Sequence, residues 1–225
     1  MKKKMTVVAI SIALVISFVV GGTLAWLVDS TQEVKNTFTY GDINIDLWEH
    51  ELSTDGLTLG EGIKSAEITK VDQTGYKMIP GNTIDKDPTI TVKKDSEACW
   101  LFVEVVKSSN FDNFMKYKVD SKWTLLEENG LTSVYYYNGN DLNGLLTDDK
   151  TFNILGGGTY VDGVGTTNEK TYTWGEKEVF VLPSVTKEML KADGFEGPTL
   201  TFTAYAVQKD NNITTAAAAW EVASN

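Results

Sequence analysis

The segment Gly41–Glu49, GDINIDLWE, puts Ile43, Ile45 and Leu47 on one side of an extended chain and Asp42, Asn44 and Asp46 on the other. That period of two belongs to a strand with one buried face. It constrains the fold strongly because segments of the same kind return along the rest of the chain. PTITVKK (88–94), CWLFVEVVK (99–107), SVYYYNG (133–139), EVFVLPSV (178–185) and TLTFTAYAVQ (199–208) are each short and rich in β-branched and aromatic residues. Gly, Asn, Asp and Pro clusters divide them, as turns divide strands. Many short strands at this spacing predict an all-β chain, a jelly-roll-like antiparallel β-sandwich. Two short helices are expected beside it. VTKEMLKADGF (185–195) ends near Gly194, and TTAAAAWEVA (214–223) has Thr214 or Thr215 as its cap. No internal repeat or long low-complexity linker interrupts the pattern, so residues 26–225 read as one domain.

A chain of 225 residues, 42% of them hydrophobic, is long enough to bury such a core unaided. It has to, because Cys99 is the sole cysteine and no intramolecular disulfide can form. Lying in the alternating run EACWLFVEVV, Cys99 reads as a small buried hydrophobe rather than a reactive thiol. All 20 basic residues are lysines, against 31 acids, for a net charge of −11. Such a surface lacks the phosphate-neutralising patches that nucleic-acid binding requires.

The N-terminus is different in kind. MKKK precedes MTVVAISIALVISFVVGG (5–22), a basic region followed by an apolar one that breaks at Gly21-Gly22. Thr23 and Ala25 then offer the small residues of a cleavage site, with Trp26 as the first residue after the cut. Residues 1–25 are therefore expected to be a signal helix that is removed. An uncleaved membrane anchor is the rival reading. No charge occurs between Met5 and Val28, a length sufficient for the ~30 Å hydrocarbon core, and Lys2–Lys4 would hold the N-terminus inside. Both readings export the remainder and confine any membrane contact to this segment.

Past the junction, GGTLAWLVDSTQEVKNTFTYGDINIDLWE (21–49) resembles the alternate signal region of proteins handled by SipW-type signal peptidases. The resemblance rests on Gly-Gly-Thr-x-Ala, an apolar residue and an Asp, then Asn-x-Phe, a Gly and an alternating strand. Its best-known bearers are TasA-type biofilm matrix fibre proteins and camelysin. MIPGNTIDKDPTITVKKDSEACWLFVEV (78–105) and TFTAYAVQKDNNITTAAAAWEVA (201–223) are similar to segments of exported clostridial-type relatives. The resemblance implies a SipW-type signal peptidase as processing partner, a secreted or surface location, and self-association into fibres.

Motifs for chemistry are sparse. His50, the sole histidine, lies in WEHEL, and the two histidines one helical turn apart that an HExxH zinc site needs are absent. Camelysin's label carries a metalloprotease activity, so this departure argues against an enzyme. Glu49-His50-Glu51 is expected to be a solvated strand end. ILGGGTYVDGVG (154–165) fits no phosphate-binding fingerprint and reads as a long hairpin loop. NGNDLNG (138–144) places Leu142 where a calcium loop needs an oxygen ligand, so it reads as a turn. The acids of DKD (85–87) stand as a weak calcium candidate without assigned ligands. Trp100, Trp123, Tyr135, Tyr136, Tyr137 and Trp174 read as core and cross-strand pairs first and as sugar-stacking rings second. AAAAWEVASN (216–225) carries no wall-sorting motif. No cofactor, metal or catalytic residue is assigned.

The function that follows is an exported structural or biofilm-matrix-type protein. Once the signal is cut, residues 27–40 begin the chain, and they can complete a neighbour's sheet through main-chain hydrogen bonds. Leu27 opens that donor strand, and Val28, Val34, Phe38 and Tyr40 share one parity and so one face. The alternatives are a monomeric surface adhesin or glycan-binding module and, behind it, a camelysin-like metalloprotease.

Overall fold

A computed structural model describes residues 42–52, 57–64, 76–210 and 212–224. Thr23, Ala25 and Trp26 of the expected cleavage site, the expected signal helix, and the donor-strand residues Leu27, Val28, Val34, Phe38 and Tyr40 lie outside them. Every strand pairing among the described residues is antiparallel.

The alternating segments become strands where the sequence places them. GDINIDLWE supplies β1 (Ile45–Trp48), PTITVKK supplies β5 (Thr89–Val92), and β6 spans Cys99–Lys107. SVYYYNG supplies most of β9 (Thr132–Tyr137), while β13 spans Glu178–Val181 and β14 Leu200–Gln208. The remaining strands are β2 (His50–Leu52), β3 (Leu59–Lys64), β4 (Thr83–Asp85), β7 (Met115–Lys116) and β8 (Trp123–Asn129). To these are added β10 (Lys150–Asn153), β11 (Gly158–Asp162) and β12 (Lys170–Trp174).

The largest sheet has the order β14-β6-β9-β8. Two three-stranded sheets, β1-β5-β10 and β4-β13-β7, share a core with its inner face. In β6 the odd residues Cys99, Leu101, Val103 and Val105 enter this core, where they meet Ile90 and Val92 of β5 and Phe180 of β13. The expected all-β antiparallel sandwich is what the described residues form. Burial pushes the Cys99 thiol up to about 11, so it behaves as the inert core residue the sequence suggests.

Phe102 of β6 points to the opposite face and is just as buried. The C-terminal helix α3 (Ala216–Ala223) covers it, because Ala216, Ala219 and Trp220 form a stripe at helical spacing. The Phe102 and Trp220 rings lie 5.4 Å apart, and Trp220 Nε1 donates to Glu127 at 2.9 Å. Thr215 caps α3, accepting from the Ala218 amide as expected. The other expected helix shrinks to one turn, α2 (Lys187–Leu190), capped by Thr186. An unexpected turn, α1 (Phe111–Phe114), precedes β7.

The expected long loop at 154–165 is a correction. Gly158–Asp162 is β11, paired along its length with β12. Gly158 faces the Trp174 indole so closely that an added Cβ would sit 2.2 Å from it. Glycine here marks a close strand-to-ring approach rather than a flexible loop. At 138–144 the expected turn is present, and Leu142 is core.

Candidate functional site

Two places carry the features from which function can be argued. The first surrounds the sole histidine. Here the expected solvated strand end is corrected, because Glu49 is only 3% exposed. Both Glu49 oxygens accept from Lys86 Nζ at 3.1 Å, and the Tyr76 hydroxyl donates to Oε1 at 3.2 Å. The Lys86 ammonium also lies 5.2 Å from the Tyr76 ring centre and 5.8 Å from that of Phe202, in reach of cation–π attraction. Burial, and then the charge of Glu49, push the Tyr76 hydroxyl far above the usual tyrosine range, so it remains a donor.

Successive residues of an extended chain project to opposite sides, so His50 meets a different partner. Asp87, 2% exposed, accepts the His50 backbone N–H at 3.0 Å through Oδ1. Its Oδ2 lies 2.6 Å from the imidazole Nδ1. Together the two contacts hold the ring in one orientation. The Trp48 ring packs edge-on at 5.1 Å and closes the other side. Lys86 and Asp87 come from the DKD triplet and are engaged by Glu49 and His50.

This arrangement does not fit a catalytic zinc site. The Glu49 carboxylate already holds an ammonium on both oxygens, and both oxygens of Asp87 are engaged by His50. Among the described residues no three His, Cys, Asp or Glu side chains converge as metal ligands do. What the cluster does physically is fasten the chain just after β1 to the chain just after β4.

The second place is the edge of the four-stranded sheet. Among the described residues β14 pairs with β6 alone, in unbroken register over nine residues from Leu200↔Lys107 to Gln208↔Cys99. Its sequence, LTFTAYAVQ, has no charge, proline or glycine. The opposite edge is different. β8 carries Glu127 and Glu128 and shifts register between Leu125 and Glu127. A bulge and charges blunt an edge against further pairing, and β14 carries neither. β1 packs alongside β14.

Of the six aromatics considered for sugar stacking, Trp123, Tyr137 and Trp174 are buried in the core. Trp100 and Tyr136 pair edge-to-face at 6.4 Å on the helix-covered side of the sheet, and Tyr135 is half-buried on the inner side. No helix among the described residues is long and apolar enough to cross a membrane.

The family described as camelysin metallo-endopeptidase matches residues 1–93. This stretch holds the region whose resemblance the sequence carries, together with Glu49, His50, Tyr76, Lys86 and Asp87. Residues 94–225 lie outside it. No protein of curated function and no solved structure matches the chain.

Proposed function

We propose that this chain is an exported structural protein of the cell surface or extracellular matrix, and that its subunits join by strand addition. The observation that carries this reading is the nine-residue, uncharged, bulge-free edge of β14, alongside which β1 packs. The camelysin and TasA-like resemblance of the N-terminal part supports it. After removal of residues 1–25, residues 27–40 can extend over ~46 Å at ~3.3 Å per residue, against ~30 Å for β14. The inward residues Ala204 and Ala206 of β14 are small and only partly buried, which leaves room for larger side chains such as Phe38 and Tyr40 beside them. Passed from each subunit to the next, such a strand gives an open filament rather than a closed ring. The Glu49–Lys86 and His50–Asp87 pairs are then anchors of the strand's root, and the peptidase description does not describe this chain's activity.

Electron microscopy of two variants tests the reading. Deleting residues 27–40 from the exported protein, or introducing Thr201→Lys with Thr203→Lys on the edge, should leave a folded monomer by circular dichroism. Neither should form filaments under conditions where the parent does. Filaments from either variant would overturn strand addition at β14. Chelator-sensitive casein cleavage that persists through purification would return the peptidase reading.

A further inference from the structure

A cleft of about 400 Å³ lies between the segment that follows α1 and the inner face of the four-stranded sheet. That volume is in the range of small-ligand sites. One wall is aromatic, built from Tyr117, Trp123 and Tyr135. Trp123 is fixed there, because its Nε1 donates to the Asn153 carbonyl at 2.8 Å and its ring packs edge-on against Tyr137. Tyr117 is likewise held edge-to-face on Phe111 at 5.6 Å. The mouth is open. Leu125, which pairs with Tyr135, is 49% exposed.

The rim alternates donors and acceptors. Asp112 sits between Lys107 Nζ at 2.5 Å and Lys116 Nζ at 3.3 Å, and Lys107 above all holds its carboxyl below the usual range. It is therefore an acceptor at any ordinary pH. Lys118 and Asp120 continue the rim as a further donor and acceptor. Burial pushes the Tyr117 and Tyr135 hydroxyls up, which keeps both protonated and able to donate. A rigid aromatic wall beneath a rim of paired carboxylates and ammoniums suits a ligand with an apolar C–H face and a fringe of hydroxyls. It does not suit a lipid, which the polar rim would strand.

We propose that this cleft is a saccharide site that takes a sugar ring of a polymeric glycan. Tyr117 and Tyr135 lie against the ring, and Asp112, Lys118 and Asp120 meet its hydroxyls. The proposal is independent of strand addition, since the cleft uses neither β14 nor residues 27–40.

Titration of the ¹⁵N-labelled exported protein with cellotetraose, chitotetraose and tetragalacturonate, followed by amide shifts, tests it. Saturable shifts confined to residues 107–123 and the neighbourhood of Tyr135 are expected with at least one probe. Preference for the galacturonate marks an acidic polysaccharide, and preference for a neutral tetramer marks a neutral one. Tyr135→Ala should weaken binding about tenfold. Lys118→Ala, at an exposed rim position that leaves the core untouched, should weaken it several-fold while the spectrum elsewhere is unchanged. No saturable shift with any of the three probes, or shifts indifferent to Lys118→Ala, would overturn the site.

Discussion

Lys86→Met cuts the anchor behind β1 at its centre, and the size of the effect follows from the geometry. The pair is buried on both sides, with side-chain exposures of 12% for Lys86 and 3% for Glu49. At 3.1 Å and an effective dielectric of about 20, the attraction is about 5 kcal/mol, most of it offset by the cost of taking both charges out of water. The intact pair therefore adds little net stability. Breaking it is another matter, because the variant leaves the Glu49 carboxylate buried with, among the described residues, the Tyr76 hydroxyl as its remaining side-chain donor. The expected loss is about 3–5 kcal/mol. With a urea dependence of about 3 kcal/mol per molar, the unfolding midpoint should fall by roughly 1–2 M. Glu49→Gln combined with Lys86→Met removes both charges, and the amide that replaces the carboxylate still accepts from Tyr76. That double variant should recover at least half of the loss. A midpoint shift below about 0.3 M, or a double variant as unstable as the single one, would refute the account of Glu49 as a buried, paired carboxylate.

Two further outcomes follow from burial. Cys99 should resist alkylation at pH 8 in the folded protein and react at once in urea, because burial holds its thiol at about 11; rapid labelling of the native state, followed by mass spectrometry, would contradict its placement. Tyr76, Tyr117 and Tyr137 all have hydroxyls raised first by burial, that of Tyr137 to about 12 with help from its bond to Asp141. A group whose folded value is raised contributes stability in full below its unfolded value, here about 10, and loses it as pH rises through the folded value. Stability should therefore fall between about pH 10 and 12. Absorbance at 295 nm should show these three tyrosines ionising together with unfolding and not before it.

Much of the sandwich is legible in the sequence because alternation is a local signal. Ile43, Ile45 and Leu47 declare their strand, and CWLFVEVVK matches β6 from end to end. Other features depend on partners far along the chain. Gly158 looks like loop until Trp174 is laid against it. WEHEL looks like a solvated end because nothing within five residues reveals that Lys86, 37 positions on, will neutralise Glu49. The signal that could have found it is Lys86 itself, a lone cation between two aspartates in a segment otherwise bound for the core. The cleft at Tyr117 is hidden for the same reason. It draws its lining from four strands, the turn α1 and the segment before β8, and no short window contains it.

The buried charges gain meaning from where they stand in the chain. In the proposed filament, load enters each subunit through residues 27–40 and reaches the sandwich at Asp42. Only β1, four residues paired to β5, receives it first. Four residue pairs form a short seam, and an edge strand of that length peels readily when pulled from its end. Directly behind it, Glu49 and His50 grip Lys86 and Asp87, which flank the start of β5 on the same connection. Hydrophobic contacts alone would let β1 slide, since they are non-directional. Charge pairs with fixed hydrogen-bond geometry hold one register, because a slip strands buried charges without partners. In the proposed filament the single histidine, through Asp87, and Glu49, through Lys86, hold the register of that tether.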